Sequence, residues 1–535
     1  MNRVRAAHQL LPPAADALAR DDALELQQLF WSCDLRSDLF AAEMPPELAD
    51  LVRDPAQLEA LPHSSLLVVH HAAGSPLPAS DTPPGRTVLI QHAGAGTDGL
   101  AEAAPSFALA IAETEDERGE LAAAGFSKTA VVSPAARCDE AAARTALNAA
   151  LALIDLELPE RRARRVVVVS HERGHGGIYD YAVAVCEGLR RRGHQVTFIG
   201  VRNADTADLF RKLSHIRPDV DTVIIEHEAG VFRDVTLARA LVQLRGRGFG
   251  IVLSMHELEP EKFHHYRRLI AAVREPPRYG PLIEALRVPW SAVRMANWFL
   301  RYRIVVAFIG GVPDRLVVHS RRSARWLSLL TRETDKTDLF PLMLRPLENI
   351  ELPKDPAEKR ALRARLGLPP DAFIFVSPGF FFPRKRFIEV MRALPRDAFL
   401  VLSGTASDEH VRYQADVLAE AKRRSNVIVS RDYDAMGEHV AASDCAVFFY
   451  EDVFQSGVVT QAVWAGLPCI VSEAEGFAPY RPATLVARDT DELARAMVEV
   501  QRPETQARLQ QGIATLRRLL APERLADRYV AGLGR

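Results

Sequence analysis

From about Arg165 onward the chain alternates short apolar runs with longer segments whose apolar positions recur every three or four residues. RVVVVS (165–170), VTFIG (196–200), TVIIE (222–226), GIVLSM (250–255) and RLVVHS (315–320) are bounded by glycine or polar residues. Runs of this kind predict parallel strands buried on both faces. Between the first two, Tyr179, Ala182, Val183, Cys186 and Leu189 mark one face of a helix, and Gly193 follows as its stop. The unit is βαβ, and its repetition predicts an α/β, doubly wound sheet. A second series, AFIFVS (372–377), AFLVLS (398–403), NVIVS (426–430), CAVFFY (445–450) and PCIVS (468–472), follows a charged, proline-containing linker. Two Rossmann-like domains are expected, at 160–345 and 346–535, with a hinge near 343–370. Ligands bind such sheets beyond the carboxyl ends of the strands, so the cleft between the domains is the expected site.

Residues 1–155 carry an echo of the first series. LLVVHHAAG (66–74) matches TVIIEHEAG (222–230), TVLIQH (87–92) matches IVLSMHE (251–257), and the layout of 107–134 matches that of 315–342. Lys128-Thr129 recurs as Lys336-Thr337. Their shared order predicts an internal repeat, the later half of a Rossmann-like domain. No equivalent of the strand and glycine loop at 165–178 is evident, and residues 14–54 read as a helical lead-in.

Composition narrows the function classes. Lys+Arg 67 against Asp+Glu 69 leaves a net charge of −2, so no general field attracts nucleic acid. The five cysteines lack metal-ligand spacing, and Cys186, Cys445 and Cys469 sit in apolar runs; this favours a reducing compartment. The N-terminus shows no signal peptide and no apolar run reaches a membrane-spanning length. A cytoplasmic protein is expected, with peripheral contact at the inner face of a membrane left open.

Three stretches offer chemistry. SHERGHGGIYDYA (170–182) follows a strand and opens a helix, so Gly174, Gly176 and Gly177 let backbone N–H groups approach an anion or hydroxyl-rich ligand, or serve packing alone. The pattern is not GxGxxG, and no acidic residue stands at the dinucleotide position after the second strand (Gly200-Val201-Arg202), which argues against a dinucleotide. Arg384 and Lys385, in SPGFFFPRKRFIEVMRAL (377–394), are cations between a strand and a helix, able to neutralise a diphosphate leaving group or simply solvated. Gly457 opens a third helix in FQSGVVTQAVWAGLPCI (454–470).

Taken in order, the glycine turn, SMHELEP, RLVVHS, GFFFPRKR and SDCAVFFYEDVFQSGVVTQAVWAGLPCIVSE make residues 165–520 resemble a GT-B glycosyltransferase of the family 4 type. The resemblance implies retaining, metal-independent hexosyl transfer with no cofactor, from a nucleotide-diphospho-sugar held by the second domain to a glycan, lipid-linked or other acceptor. By position it implies that Gly176 and Gly177 lie near donor phosphates and acceptor, His256 near the transferred sugar, Arg384 and Lys385 on the diphosphate, and Ser456, Gly457 and Val458 under phosphate and ribose. His256 could alternatively cap a neighbouring helix. Glu257 is a candidate to orient the imidazole, and Arg431 and Tyr433 to meet the base. Three departures stand out: Val453 and Gln461 occupy the places of two glutamates common in the family, and Phe380 that of an arginine. Glu451 or Asp452 could restore the first carboxylate after a short loop shift. Gln461 keeps a hydrogen bond to ribose without the charge. The alternatives are a non-catalytic binding or assembly subunit of the same fold and, with less support, a sugar-nucleotide epimerase.

Overall fold

The computed structural model describes residues 2–3, 7–10, 23, 26–30, 39–40, 52–53, 66–72, 87–92, 95, 100–133, 140–160, 162–172, 177–202, 205–228, 232, 234–256, 258, 273, 281–331, 336–339, 341–345, 352–404, 410–432, 435–453 and 455–533. Among the described residues, three large parallel sheets carry the chain. The first is built from β2 (Ala7–Leu10), β3 (Leu39–Phe40), β4 (Val52–Arg53), β5 (Leu66–His71), β6 (Thr87–Gln91), β7 (Leu109–Ala112) and β8 (Thr129–Val131), in the order β4-β3-β2-β5-β6-β7-β8. The second takes β10 (Arg165–His171), β11 (Gln195–Val201), β12 (Thr222–His227), β13 (Gly250–Met255), β14 (Arg315–Val318) and β15 (Thr337–Leu339), in the order β11-β10-β12-β13-β14-β15. The third takes β16 (Ile374–Pro378), β17 (Phe399–Ser403), β18 (Val427–Ser430), β19 (Cys445–Phe448), β20 (Cys469–Ser472) and β21 (Thr484–Ala487), in the order β18-β17-β16-β19-β20-β21. A two-stranded ribbon joins β1 (Asn2–Arg3) to β9 (Leu156–Glu157). The central runs form strands buried on both faces, with Val166 to Val169 and Val223 to Ile225 all buried, while the edge strands β11 and β18 are only partly covered.

The first and second sheets share one register. Gln9 pairs with Leu39 as Val168 pairs with Phe198, and Ala7 with Leu66 as Val166 with Thr222. Leu67 pairs with Thr87 as Val223 with Ile251, and Val88 with Leu109 as Val252 with Arg315. Ala110 pairs with Thr129 as Leu316 with Thr337, so the recurring Lys-Thr pairs fall at the same place. The expectation of a half-domain without leading strands is corrected here. β2 stands where β10 stands in the second sheet, and β3 and β4 lie within the stretch read as a helical lead-in. These strands run two to four residues, too short for alternation to reveal them.

The helices that position the site are α1 (Gly177–Arg191), α2 (Asp234–Gly246), α3 (Pro281–Gly311), α4 (Arg321–Thr331), α5 (Phe387–Ala393), α6 (Gly457–Trp464) and α7 (Pro522–Val530). Helix α7 follows the third sheet in sequence but seats on α1, beside the second. The Tyr529 and Tyr181 hydroxyls lie 2.9 Å apart, and Arg315 donates to the carbonyls of Arg528 and Ala531. By packing, the chain's last helix therefore belongs with the 160–345 lobe rather than with the 346–535 lobe expected to hold it. Gly188 permits the crossing, since a Cβ there would stand 2.5 Å from the Pro522 carbonyl oxygen. Buried side chains from α1, α6, α7 and both the second and third sheets form one continuous apolar cluster.

Candidate functional site

Between β16 and α5 the chain reverses twice. Gly379 has φ 111°, and Arg386 takes a left-handed conformation at φ 52° that is uncommon outside glycine. The one-turn helix between them, Pro383–Lys385, is folded back on the strand end. The Lys385 ammonium lies so near Gly379 that a Cβ there would sit 2.1 Å from Nζ. Nζ donates to the Pro378 carbonyl at 3.3 Å and stands 5.0 Å from the centre of the Tyr450 ring. Lys385 is only 6% exposed, and burial, helped by the charge of Arg384, pulls its ammonium down to about 7. Arg384 diverges from it: the side chain is exposed, with its guanidinium carbon 5.6 Å from the Phe382 ring centre. Phe380 stacks on Phe382 at 5.6 Å, so this loop presents aromatic surface where the family pattern has a cation.

Beside Gly379 begins α6. Val458 is the next neighbour of the Gly379 position, at 3.7 Å. Ser456 is the N-cap, yet its hydroxyl accepts no bond from the first turn. A helix start leaves its leading N–H groups without intrahelical partners, and its dipole favours negative charge there. Gln461 lies one turn further on, 9% exposed and on the face of Gly457. Val453 is buried at 4%. The two candidate carboxylates differ in surroundings. Asp452 reaches Arg322 of α4 at 3.4 Å, while Glu451 is exposed and its backbone N–H donates to the Arg384 carbonyl at 2.7 Å.

The second sheet meets this wall through Arg345, which the sequence pattern did not mark. Its Nη1 donates to the Gly177 carbonyl at 3.2 Å and to Asp180 Oδ2 at 2.9 Å, at the start of α1. The same guanidinium faces Gly457: its carbon would lie 3.7 Å from a Cβ built there. It is 6% exposed, and its Nε has no hydrogen-bond partner. One buried cation thus stands between two glycine-opened helix starts, with Lys385 beyond Val458. A lone arginine at the edge of a linker carries no periodic signal, which is why sequence reasoning missed it.

His256 ends β13. Its Nε2 is 2.7 Å from Glu226 Oε2, its backbone N–H donates to the His227 carbonyl at 2.8 Å, and its carbonyl accepts from Gln455 Nε2 at 3.0 Å. That last bond ties the imidazole's position to the chain just ahead of α6. Tyr181 and His319 pack their rings on His256, each at 4.8 Å, and His319 Nε2 contacts Ser254 Oγ at 3.1 Å. Burial pushes the Glu226 carboxyl up to about 7, with Ser254 and His319 pulling the other way. His227 is different: burial, with His256 and His171 nearby, lowers it to about 4, so it stays neutral.

Among the described residues, Glu226, His256 and His319 form a group whose donor atoms lie within 4.8 Å of one another. The 2.7 Å approach of His256 to Glu226 is hydrogen-bonding contact, shorter than the roughly 3.3 Å that two ligands of one tetrahedral zinc keep. As it stands the group is joined by hydrogen bonding between His256 and Glu226. The first sheet repeats its placement: the shared register puts His70, His92 and Glu113 where Glu226, His256 and His319 stand. There His70 Nδ1 contacts His92 Nε2 at 3.0 Å, and His92 Nδ1 contacts Glu113 at 3.2 Å. The carboxylate and one imidazole have exchanged ends.

A cavity of about 260 Å³ adjoins the network between the lobes, lined by His319, Arg321, Arg325, Gln455, Glu475 and Tyr480 among others. Of the remaining sequence candidates, Gly174, Gly176, Glu257 and Tyr433 lie outside the described residues, and Arg431 is exposed just past β18.

No protein-family model and no curated protein matches the sequence. Solved structures do match. The chain is similar to Anabaena Alr3699/HepE in complex with UDP and glucose, at 12% identity and a TM-score of 0.50, over 67% of this chain and 96% of that one. Sucrose-phosphate synthase from Thermosynechococcus elongatus matches at 17% identity and 0.46, over 68% and 96%. The catalytic domain of starch synthase IV from Arabidopsis thaliana matches at 13% and 0.48, over 70% and 100%. The fold is that of GT-B glycosyltransferases, with a further Rossmann-like unit at the front of the chain.

Proposed function

We propose that the protein is a glycosyltransferase of the family 4 type, moving a hexosyl group from a nucleotide-diphospho-sugar to a hydroxyl acceptor with retention and without a metal. One observation carries the reading: the buried Lys385 ammonium beside Gly379, next to the start of α6, which has no side-chain cap, with the Arg345 guanidinium beside Gly457. In the transfer, the bond from the anomeric carbon to the diphosphate oxygen breaks and its electron pair leaves with the diphosphate. Lys385, Arg345 and the leading N–H groups of α6 stabilise that charge as it develops, which lowers the barrier more than equal binding of the ground state would. The acceptor oxygen bonds to the same face of the anomeric carbon, and its proton passes to the departing phosphate oxygen. Gln461 is assigned to the ribose, His256 to the transferred sugar with Glu226 fixing its ring, and Glu451 to the reacting centre.

Arg345 offsets the charge that Phe380 omits. A thermal-shift and released-nucleotide screen over UDP-, GDP- and ADP-sugars tests the whole reading. A melting shift with one nucleoside diphosphate, lost in Lys385→Ala, together with sugar-dependent nucleotide release, is the expected result. Silence with every donor overturns it.

A further inference from the structure

Helix α3 is apolar on two opposite faces. Tyr302, Val306 and Ile309 are buried against the second sheet. On the other side Leu286, Trp290, Val293, Leu300, Ile304 and Phe308 are between 51% and 65% exposed. At 3.6 residues per turn these six fall within an arc of about 80° that runs about 33 Å along the helix, with exposed Asn297 the one polar residue on it. Most surface helices show solvent a polar face, and a contiguous exposed apolar patch marks an interaction site.

The stripe's borders say which partner. Exposed Arg294 and Arg301 flank one edge and exposed Arg303 the other. The sequence has no Asp or Glu between Glu284 and Asp314. A second copy docked stripe to stripe would bring these arginines together, a like-charge juxtaposition that specific interfaces avoid. A largely apolar strip with tryptophan on it and arginines along both rims matches a helix lying in a lipid interface, where the stems lie in the apolar boundary and the guanidinium groups reach the headgroups. Among the described residues no helix is long and apolar enough to cross a membrane.

We propose that this face of α3 seats the protein on an anionic lipid surface. The inference stands independently of the transfer chemistry. Flotation of the full chain with phosphatidylcholine vesicles, with and without phosphatidylglycerol, tests it. The protein is expected to float with the anionic vesicles and to be released by added salt, which screens exposed charge. The combined variant Arg294→Gln, Arg301→Gln, Arg303→Gln should lose roughly fivefold in partition per arginine removed. Ile304→Glu with Leu300→Glu should abolish flotation while leaving the melting temperature unchanged, because both positions face solvent. Wild-type protein that floats with neither vesicle type, or equally with both, overturns the proposal. So does a concentration-dependent dimer in sedimentation velocity that Ile304→Glu dissociates while no protein floats.

Discussion

Lys385 is a cation held in a place that disfavours its charge. Because its folded value of about 7 lies below the usual lysine value of 10.5, folding favours the neutral form, and the ligand-free protein gains stability as pH rises from about 7 toward 10.5. Lys385→Met should remove that slope and raise the ligand-free melting temperature at neutral pH, while abolishing the shift caused by a nucleoside diphosphate; scanning calorimetry across pH reads both. A bound diphosphate reverses the preference. Affinity for a nucleoside diphosphate should therefore weaken above pH 7 by about tenfold per unit, with proton uptake on binding measurable by titration calorimetry in buffers of different ionisation enthalpy. Arg345→Gln isolates the second cation. If its guanidinium meets the diphosphate, the variant loses preference for a nucleoside diphosphate over the monophosphate, by about 1.5–3 kcal/mol for one charged hydrogen bond. An unchanged ratio of the two dissociation constants sinks that role and leaves Lys385's intact.

At the scale of elements, the site is a meeting of helix starts. Helices α1 and α6 begin at glycines on facing lobes, and a single guanidinium touches both neighbourhoods. Helix α7 holds the arrangement together from behind by crossing α1 at Gly188. Gly188→Val should push α7 away from its seat, because the added Cβ meets backbone rather than a movable side chain. A loss of about 1–3 kcal/mol is expected, as for overpacking elsewhere, read as a lower denaturant midpoint. Five strands of the second sheet and five of the third were legible as apolar runs, most of them because burial on both faces writes itself into composition, whereas β21 went unread. The strands β2 to β4 were not, because two to four residues held by a neighbour's edge need no pattern of their own. The docking of α7 was also hidden, for its amphipathic face records that it packs but not on which lobe.

For the whole molecule, two sheets that share six strand positions, the first with β4 added at its edge, are followed by a third and fastened at a charged node. Asp527 of α7 accepts from Arg192 and lies 3.1 Å from His194, while Gln28 reaches it at 3.3 Å and Arg192 also holds Glu140 at 2.9 Å. The node joins the front unit, the second sheet's lobe and the terminal helix. Arg192→Ala would leave a carboxylate that is 2% exposed short of its main partner, costing about 3 kcal/mol; limited proteolysis should then release the front unit sooner than in the wild type. The sequence by itself determined the α/β class, the tandem order of strands, the internal repeat and the glycine and lysine candidates, because periodicity and local turn chemistry are properties of neighbours along the chain. Only the tertiary structure decided that Arg345 stands at both helix starts, that Glu226, His256 and His319 share one network, and that the first sheet is extended by β2 to β4. Those facts depend on distances between residues far apart in the chain, and no local pattern carries a distance.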